Sequence, residues 1–433
     1  MISFIKKQLN DFNKKSTKEL YYKFKILFFL IFNIFISIPF YLFAIPFVFL
    51  LRILEPYLLI RIGCLISSRI GHFAGNTELY LCERDSKINI PNKKYIDIFY
   101  FGHYPICNKY LAKKFSKLLI IYPKFLIKPI FVLNKLIPGW QKFEIGQNSQ
   151  HDRDVNNLLD KSRLHFFFTN EEKVKGNIDV ENIGIPPESK IVCLFVRDNE
   201  YLLQKLGRGY DYHNYRDCDI QNYLKAAEML TKLGYYVVRM GAVVKQKLNS
   251  NNPMIIDYAT SGKRSDFLDI YLAYKCDFVI TSSSGWDSVP SHLFRKPILY
   301  TNVVPIGLLL TFSSKFMLTT RKYFDTHNQV FLKFSDIYSK GYAFYTKNED
   351  YLKSNLLLFE NSPDEICDAV LDMTNFISNK LFLTESDLRL QEIFWNSFPI
   401  NAKDNYYKGN SLHGIIKATM SPSFLRNNID LVN

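Results

Sequence analysis

Residues 191–198 read IVCLFVRD, a run of six apolar side chains that ends directly in an arginine and an aspartate. A short continuous apolar run of this kind is typical of a strand buried on both faces of a parallel sheet. The runs YYVV at 235–238, FVI at 278–280 and PILY at 297–300 repeat the pattern further along the chain. Helical patterns separate the four runs, so the sequence predicts an α/β fold built on a parallel sheet.

The segments between the predicted strands carry the end signals of helices. Asp219 is placed to cap a helix whose apolar residues recur on one face as far as Leu230, and Gly234 ends it. A short helix is predicted at 269–275, before the third strand. Ser362-Pro363-Asp364-Glu365 is a capping box with proline at the first helical position, so another helix begins there.

Composition limits the class of protein. With 433 residues, 48% of them hydrophobic and 16% aromatic, the chain is not disordered and exceeds what one core usually serves. Composition shifts divide it into regions at 1–66, 67–185, 186–400 and 401–433. The seven cysteines are scattered and form no CxxC pair, which argues against a disulfide framework and favours reduced thiols in a cytosolic compartment.

An uncharged segment at 26–51 predicts membrane attachment. It exceeds the roughly 20 apolar residues that a helix needs to cross a bilayer, and it is too long for a secretory signal. Pro39 and Pro46 lie inside it and predict a bend or break near each. Lysines precede the segment and arginines follow it, and the positive-inside rule places both flanks in the cytosol. A re-entrant, broken hairpin therefore fits better than a single crossing, which stays open.

A second basic and apolar stretch, at 117–140, is a candidate membrane contact. Its lysines are Lys117, Lys124, Lys128 and Lys135. They return to one side of a helix, which is the pattern of a helix lying in the headgroup layer. Pro123, Pro129 and Pro138 favour the alternative, a set of short buried helices. The formal net charge, 55 − 41 = +14, suits anionic lipid, and no nucleic-acid-binding motif is present.

Polar residues follow each predicted strand at the point where the strand ends. Ligands of open parallel sheets bind beyond these carboxyl ends. Arginine offers a permanently charged fork for phosphate oxygens, and a Ser/Gly loop offers backbone N–H groups at a helix start, so a diphosphate suits this edge. Surface ion pairs and plain helix caps are the alternatives. The candidate ligand-binding residues are Arg197, Arg239, Gly241, Asp257, Ser282, Ser283, Ser284, Gly285 and Asn302.

Several nucleotide-binding and metal-binding motifs are missing from the sequence. No GxGxxG follows the first strand and no GxxxxGK[ST] occurs, which disfavours a dinucleotide oxidoreductase and a P-loop NTPase. The DxD patterns at 152–154 and 217–219 could hold a divalent metal beside a diphosphate, although Asp219 also serves as a helix cap. We therefore expect no cofactor and no metal.

An ordered series of short motifs resembles one family. The motifs are Arg69-Ile70-Gly71-His72, Asn76-Thr77-Glu78-Leu79, Arg197-Asp198, Tyr215-Arg216, Arg239-Met240-Gly241, Ile256-Asp257-Tyr258-Ala259, Arg264-Ser265-Asp266-Phe267, residues 282–285, Val289-Pro290 and Phe294-Arg295-Lys296-Pro297. The series is similar to a little-characterised family of bacterial proteins regarded as glycosyltransferases and associated with surface polysaccharide gene clusters. The resemblance covers about residues 51–398. It implies a GT-B-like architecture, two Rossmann-like domains facing a cleft, with 67–185 on the acceptor side and 186–400 on the nucleotide-sugar side.

These observations lead to a functional hypothesis. The protein would move a sugar from a nucleotide-sugar donor to a lipid-linked or membrane-proximal glycan acceptor at the cytoplasmic face of the inner membrane, in surface polysaccharide (O-antigen or capsule) synthesis. The strand-end arginines would stabilise the departing diphosphate without a metal. His72, Glu78 and Asp198 are the candidate general bases. A nucleotide-sugar epimerase or isomerase on the same fold, and a non-enzymatic basic membrane-binding scaffold, are the alternatives.

Overall fold

The computed structural model describes residues 17–145, 153–206, 211–398 and 412–432. The chain divides into two compact units, each discontinuous in sequence. The smaller unit comprises Met1–Leu65, Pro91–Gly102 and Leu119–Gln147, and the larger unit comprises Ile66–Ile90, His103–Leu118 and Asn148–Asn433. Residues 67–185 contribute to both units, and the region boundaries given above stay predictions.

Helices and strands are numbered along the described chain. The helices are α1 (Thr17–Leu54), α2 (Ile70–Asp85), α3 (Lys109–Leu118), α4 (Lys124–Asn134), α5 (Asn170–Asn182), α6 (Glu200–Leu206), α7 (Leu224–Lys232), α8 (Asp266–Lys275), α9 (Phe334–Ser339), α10 (Asn348–Lys353), α11 (Pro363–Ile377), α12 (Glu385–Ser397), α13 (Pro422–Asn427) and α14 (Ile429–Val432). The strands are β1 (Leu59–Leu65), β2 (Tyr95–Phe101), β3 (Ile120–Ile121), β4 (Lys190–Phe195), β5 (Tyr235–Arg239), β6 (Ile255–Ile256), β7 (Phe278–Thr281), β8 (Ile298–Val303), β9 (Phe316–Thr320), β10 (Lys322–Asp325), β11 (Val330–Phe331), β12 (Leu356–Phe359) and β13 (Thr419–Met420).

A parallel sheet forms the centre of the larger unit. Within the described residues it has seven strands, in the spatial order β13-β9-β8-β7-β4-β5-β6, and every neighbouring pair is parallel. The four strands predicted from the apolar runs are β4, β5, β7 and β8. The predicted α/β class with a parallel sheet is confirmed.

Helices cover this sheet, which explains the continuous apolar runs. Val192, Val237 and Phe278 lie fully buried in one core cluster with Leu230 of α7 and Val370 of α11. A strand with both faces covered gains from apolar residues at every position rather than at alternate ones.

The predicted helix ends are present. The Asp219 carboxylate accepts the backbone N–H of Gln221 at 3.0 Å, and Gly234 has φ +84° after the end of α7. Ser362 and Glu365 form the predicted capping box, with Oγ of Ser362 accepting the N–H of Glu365 at 3.2 Å. These local signals act through hydrogen bonds to neighbouring backbone groups, so they can be recognised without tertiary context.

The larger unit carries two further features. Strands β10, β11 and β12 form a small antiparallel sheet. The described part of segment 401–433 contributes β13 to the edge of the central sheet, and Ser421 Oγ donates to Asp372 Oδ2 of α11 at 2.6 Å. Residues 412–432 are therefore packed into this unit.

The smaller unit contains a second parallel sheet, in the order β1-β2-β3. Its core includes Leu51, Ile62, Tyr100, Ile127 and Phe143, which come from α1, β1, β2, α4 and the turn after α4. Helix α1 is thus anchored to this sheet through its last turns.

Helix α1 is continuous through both prolines, so the broken hairpin predicted within 26–51 is not present. Pro39 and Pro46 are seven residues apart and therefore lie on nearly the same side of the helix, where both are exposed. Each proline removes a single N–H, and the remaining hydrogen bonds keep the helix intact. Within the described residues, Ile36–Leu54 is the one helical stretch long and apolar enough to cross a membrane, with a mean hydropathy of 2.0 over 19 residues.

Candidate functional site

A cavity of about 470 Å³ opens in the larger unit at the carboxyl ends of its central strands. Its wall includes Phe195–Asp198 after β4, Met240–Val244 after β5, Ser283–Asp287 after β7 and Val303–Pro305 at the end of β8. Parallel strands present their carboxyl ends at one sheet edge, which is why four chain segments distant in sequence meet there. The edge predicted from the strand-end residues is where the cavity lies.

Positive charge dominates the wall of the cavity. Among the described residues, five arginines line it, against the three carboxylates of Asp198, Asp269 and Asp287. The arginines are Arg69, Arg153, Arg197, Arg216 and Arg264. The excess of fixed positive side chains favours a negatively charged ligand over a neutral or cationic one.

Three of these arginines differ in how their charge is balanced. Arg197 forms an ion pair with Asp217, and Arg264 NH2 lies 2.6 Å from Asp269 Oδ2. Arg216 NH2 donates to the carbonyl oxygen of Ser283 at 2.6 Å but has no carboxylate partner in the part of the chain that the structure describes. Arg216 therefore contributes an uncompensated positive charge to the wall.

Burial and the positive charges of these arginines lower the pKa values of two neighbouring groups, Arg197 and His213. Burial and the charge of Arg216 lower the pKa of Arg197 to about 10, so Arg197 remains protonated at neutral pH. Burial and the charges of Arg216, Arg197 and Arg69 lower the pKa of His213 to about 4. His213, which also lines the cavity, is thus a neutral imidazole at physiological pH.

The backbones of two glycines, Gly71 and Gly285, lie against each other in the wall of the cavity. Gly71, in the first turn of α2, lies against Gly285 in the loop after β7, and both line the cavity. The chain reaches this contact through Ser283, whose φ is +59°, a left-handed conformation that turns it sharply at the strand end. The contact places the N-terminus of α2 in the cavity wall, where a helix favours negative charge.

Adding one methyl group to each side of this contact should have unequal effects. A Cβ at Gly71 would lie 2.8 Å from the carbonyl oxygen and 2.9 Å from the Cα of Gly285, so Gly71→Ala must push the loop away. A Cβ at Gly285 would lie 3.4 Å from the nitrogen of Gly71, an ordinary contact. We expect Gly71→Ala to cost about 1–3 kcal/mol of stability and to weaken ligand binding. Thermal unfolding and binding measured on both variants check this, and equal effects would contradict it.

The structure brings seven of the predicted site residues into the cavity wall. They are His72, Arg197, Asp198, Gly241, Ser283, Ser284 and Gly285. Both carboxylate oxygens of Asp198 already accept backbone N–H groups, from Glu200 at 3.0 Å and from Lys245 at 3.0 Å. Asp198 therefore holds together the loops that follow β4 and β5, while His72 stands in the first turn of α2.

Arg239 and Asp257 lie behind the wall and pair with each other. Arg239 is 1% exposed, and its NH1 donates to Asp257 Oδ1 at 2.9 Å. The other carboxylate oxygen accepts from the backbone of Leu248 and the hydroxyl of Thr260. The pair closes the loop between β5 and β6, so both charges are balanced within the fold.

Ser282 and Asn302 also lie outside the cavity wall, at positions that join strands. Ser282 Oγ accepts the N–H of Arg197 at 2.8 Å and so links the ends of β7 and β4. Asn302, with φ +56°, lies where the pairing register between β8 and β9 shifts. Its side chain forms hydrogen bonds with the Tyr223 hydroxyl and the backbone N–H of Asn361. These contacts shape the strand ends that carry the wall.

Glu78 is fully buried in an ionic network, away from the cavity wall. Its Oε1 accepts from Arg295 NH2 at 2.8 Å and lies 3.1 Å from His165 Nδ1. The other nitrogen of His165 lies 3.1 Å from Asp85 Oδ2. Burial alone would lower the pKa of His165, but bonds to Cys82, Glu78 and Asp85 raise it to about 10. His165 is therefore a cation here and, with Arg295, compensates the Glu78 charge.

Three atoms of this network have the chemistry of metal ligands. Glu78, Cys82 and His165 place a carboxylate, a thiol and an imidazole within 4.8 Å of one another. Arg295 NH2 lies 3.5 Å from Cys82 Sγ as well as against Glu78. The guanidinium thus supplies the positive charge that a metal would bring to this position.

Five residues of the cavity wall are not among the site residues predicted from the sequence: Arg69, Arg153, His213, Arg216 and Arg264. Arg69, Arg216 and Arg264 do stand in the motifs that carry the family resemblance, which was the available signal. Arg153 is the middle residue of the DxD pattern at 152–154, which drew attention to its aspartates, and His213 lies in a short 3-10 helix, Asp211–Arg216, that follows no strand directly.

Comparisons with known proteins give structural similarities only. No protein-family model matches the chain, and no curated protein matches it. ADP-heptose LPS heptosyltransferase II of E. coli is 14% identical with a TM-score of 0.34, covering 60% of this chain and 90% of that chain. A family 9 glycosyltransferase of Veillonella parvula is 12% identical with a TM-score of 0.39, covering 72% and 96% respectively. A proposed UDP-N-acetylglucosamine 2-epimerase of Listeria monocytogenes is 9% identical with a TM-score of 0.28, covering 83% and 99%.

Proposed function

We propose that the protein is a glycosyltransferase that takes its sugar from a nucleotide-sugar donor. The observation that carries the proposal is the arginine-lined cavity at the carboxyl ends of β4, β5 and β7. Its volume of about 470 Å³ falls within the range of about 300–1,000 Å³ typical of small-ligand sites. A compact ligand with more than one negative charge matches both its size and its electrostatics.

A diphosphate is the anion that suits this wall best. Arg197 and Arg216 hold two positive charges near each other, and an anion between them would relieve their repulsion. Arg216 Nε is buried with no hydrogen-bond partner among the described residues, which leaves a donor for a phosphate oxygen. The first turn of α2 adds the partial positive charge of a helix N-terminus. We propose that these groups stabilise the nucleoside diphosphate as it leaves, without a divalent ion.

His72 is the best-placed candidate for the general base. It lines the cavity on α2, and imidazole takes up a proton readily near neutral pH. Asp198 is the second candidate, although both of its oxygens already hold backbone groups. Glu78 is buried against Arg295, so we assign it to the support of α2 instead. In the proposed reaction, His72 accepts the proton of the acceptor hydroxyl that attacks the donor sugar.

The acceptor is proposed to be a lipid-linked or membrane-proximal glycan at the cytoplasmic face of the inner membrane. The apolar surface of α1 and the basic residues at both of its ends support a membrane-bound enzyme. Synthesis of a bacterial surface polysaccharide is the process in which we place this transfer.

Donor binding by the detergent-solubilised full chain tests the proposal. We expect one nucleotide-sugar, and the matching nucleoside diphosphate, to raise the Tm, and a glycosylated product to form with lipid extracts from the host membrane. Arg389→Met removes an exposed arginine of α12 that is not in the cavity wall, and it should behave as wild type. No shift across the whole nucleotide panel would overturn the donor site. Conversion of the donor sugar without transfer would assign the cavity to an epimerase.

A further inference from the structure

We infer that α1 lies in the plane of one anionic lipid leaflet together with α4, so that both ends of α1 stay on the same side of the membrane. The inference concerns the smaller unit alone. It does not depend on which reaction the cavity of the larger unit catalyses.

The exposed surface of α1 is suited to lipid. In the stretch whose side chains the structure describes, Ala44, Val48 and Leu51 form one buried stripe that packs on the smaller unit. Large apolar side chains cover the rest of this stretch, among them Phe43, which is 59% exposed, and Ile53, which is 69% exposed. Apolar surface of this extent is stable in a bilayer and not in water.

Helix α4 runs beside the second half of α1 in the same direction. Near the start of α4, the ring of Phe125 lies 5.3 Å from the ring of Phe40. At its end, Arg52 Nε donates to Asn134 Oδ1 at 2.9 Å, and Arg52 also bonds to the carbonyl oxygens of Ile137 and Pro138. The two helices therefore hold a fixed relation, and the depth of one in a membrane sets the depth of the other.

This pairing is incompatible with a crossing that uses the whole uncharged segment. Phe40 stands near the middle of residues 26–51, so a crossing would bring the start of α4 to the centre of the bilayer. Lys124, the exposed Lys128 and the strand end at Gly102, whose carbonyl accepts from Lys124 at 2.6 Å, would then lie in hydrocarbon. Charged side chains and irregular backbone are excluded from that depth unless they are buried in protein.

A crossing that uses only the part of α1 upstream of α4 is too short. Residues 26–39 are uncharged, and Lys25 and Lys23 precede them. Fourteen helical residues span about 21 Å, whereas the hydrocarbon core is about 30 Å thick. The first placement of a crossing puts charged side chains into the hydrocarbon core, and the second is too short to span it.

A position of α1 in the plane of one leaflet requires no span of the bilayer and keeps the charged side chains in the headgroup layer. Arg52 would then lie in the headgroup layer, and the amino-acid sequence before residue 26 is rich in lysine, which suits the same layer. On α4, Phe125 and Lys128 are exposed at a spacing that keeps one face of the helix, while Ile127 and Asn134 are buried on the other. Within the smaller unit, no acidic residue occurs from 119 to 143, which fits an anionic surface.

The side of the membrane on which the N-terminus lies tests the inference directly. The full chain with an epitope tag before Met1 is treated with protease in inverted vesicles of the inner membrane and in spheroplasts. We expect the tag to be digested in the inverted vesicles and protected in the spheroplasts, as for the body of the protein. Digestion from the spheroplast side only would show a crossing and overturn the inference.

Contact between α4 and headgroups is tested through Trp140, which is half-buried and lies 4.7 Å from Lys135 Nζ. Tryptophan quenching by lipids brominated near the headgroup is compared between wild type and Trp140→Phe in anionic vesicles. We expect the quenching to drop in Trp140→Phe.

The charge of α4 is tested with Lys128→Glu. This variant should reduce the fraction of protein whose α4 contacts the anionic headgroups about fivefold or more, because a positive charge is lost. Lys353→Glu, an exposed lysine of α10, is the matched control and should change nothing. Quenching that neither variant alters would exclude α4 from the membrane surface.

Discussion

Arg295→Met is expected to lower the free energy of unfolding by about 3–5 kcal/mol, because it leaves the buried Glu78 without its arginine partner. Glu78 is 0% exposed, and its Oε2 has no hydrogen-bond partner among the described residues. Oε1 would keep His165, which Asp85 shares, and the weak thiol donor of Cys82 at 3.8 Å. Urea titrations of the solubilised protein, followed by tryptophan fluorescence, measure the loss.

Two further variants separate charge compensation from simple packing. In the double variant Glu78→Leu with Arg295→Met the buried charge is gone, so stability should return well above that of Arg295→Met alone. Lys225→Met breaks an exposed pair with Asp364 and should cost less than about 1 kcal/mol. If Arg295→Met is as mild as Lys225→Met, the Glu78 network is not a source of stability.

Arg216→Met is expected to reduce kcat about 100- to 1,000-fold, the effect of removing one charge-stabilising donor from a transition state. Methionine keeps much of the length of the arginine stem, so the cavity wall should hold its shape. The lost group has no carboxylate partner among the described residues, and the Ser283 carbonyl oxygen would lose its donor. Steady-state transfer with the donor found in the binding panel gives kcat and KM.

The pattern of rescue decides how Arg216 acts. Arg216→Lys restores a positive charge without the planar fork, so it should recover part of the activity. Arg389→Met should leave both constants at wild-type values. Equal kcat in Arg216→Met and wild type would place the leaving diphosphate elsewhere in the cavity.

His72 and Glu78 show how one helix separates two residues that stand close in sequence. Both belong to α2, and six residues correspond to about 240° of rotation around a helix. His72 therefore lines the cavity while Glu78 enters the buried network with Arg295. The motifs that contain these residues suggested one shared role, and helical geometry places them about 120° apart, on different sides of α2.

The arginines at two strand ends also show that a sequence pattern does not decide which residue lines the cavity. Arg197 and Arg239 each follow an apolar run, and the pattern treats them alike. Arg239 is the last residue of β5 and points into a region where Asp257 completes its charge, whereas Arg197 lies two residues beyond the end of β4 and reaches the cavity wall. A difference of two positions in where a strand stops decides whether an arginine supports the site or lines it.

The amino-acid sequence by itself determined the parallel sheet, the edge at which the cavity opens and the capped starts of the helices at Asp219 and Ser362. These features depend on hydrophobic periodicity and on hydrogen bonds between neighbours in the chain, so a single sequence contains them. Only the tertiary structure decided that Arg216 and His213 join the cavity wall, that Arg295 neutralises Glu78, and that α4 runs beside α1. Each of these depends on contacts between residues far apart in sequence, and local pattern cannot specify which distant charges meet.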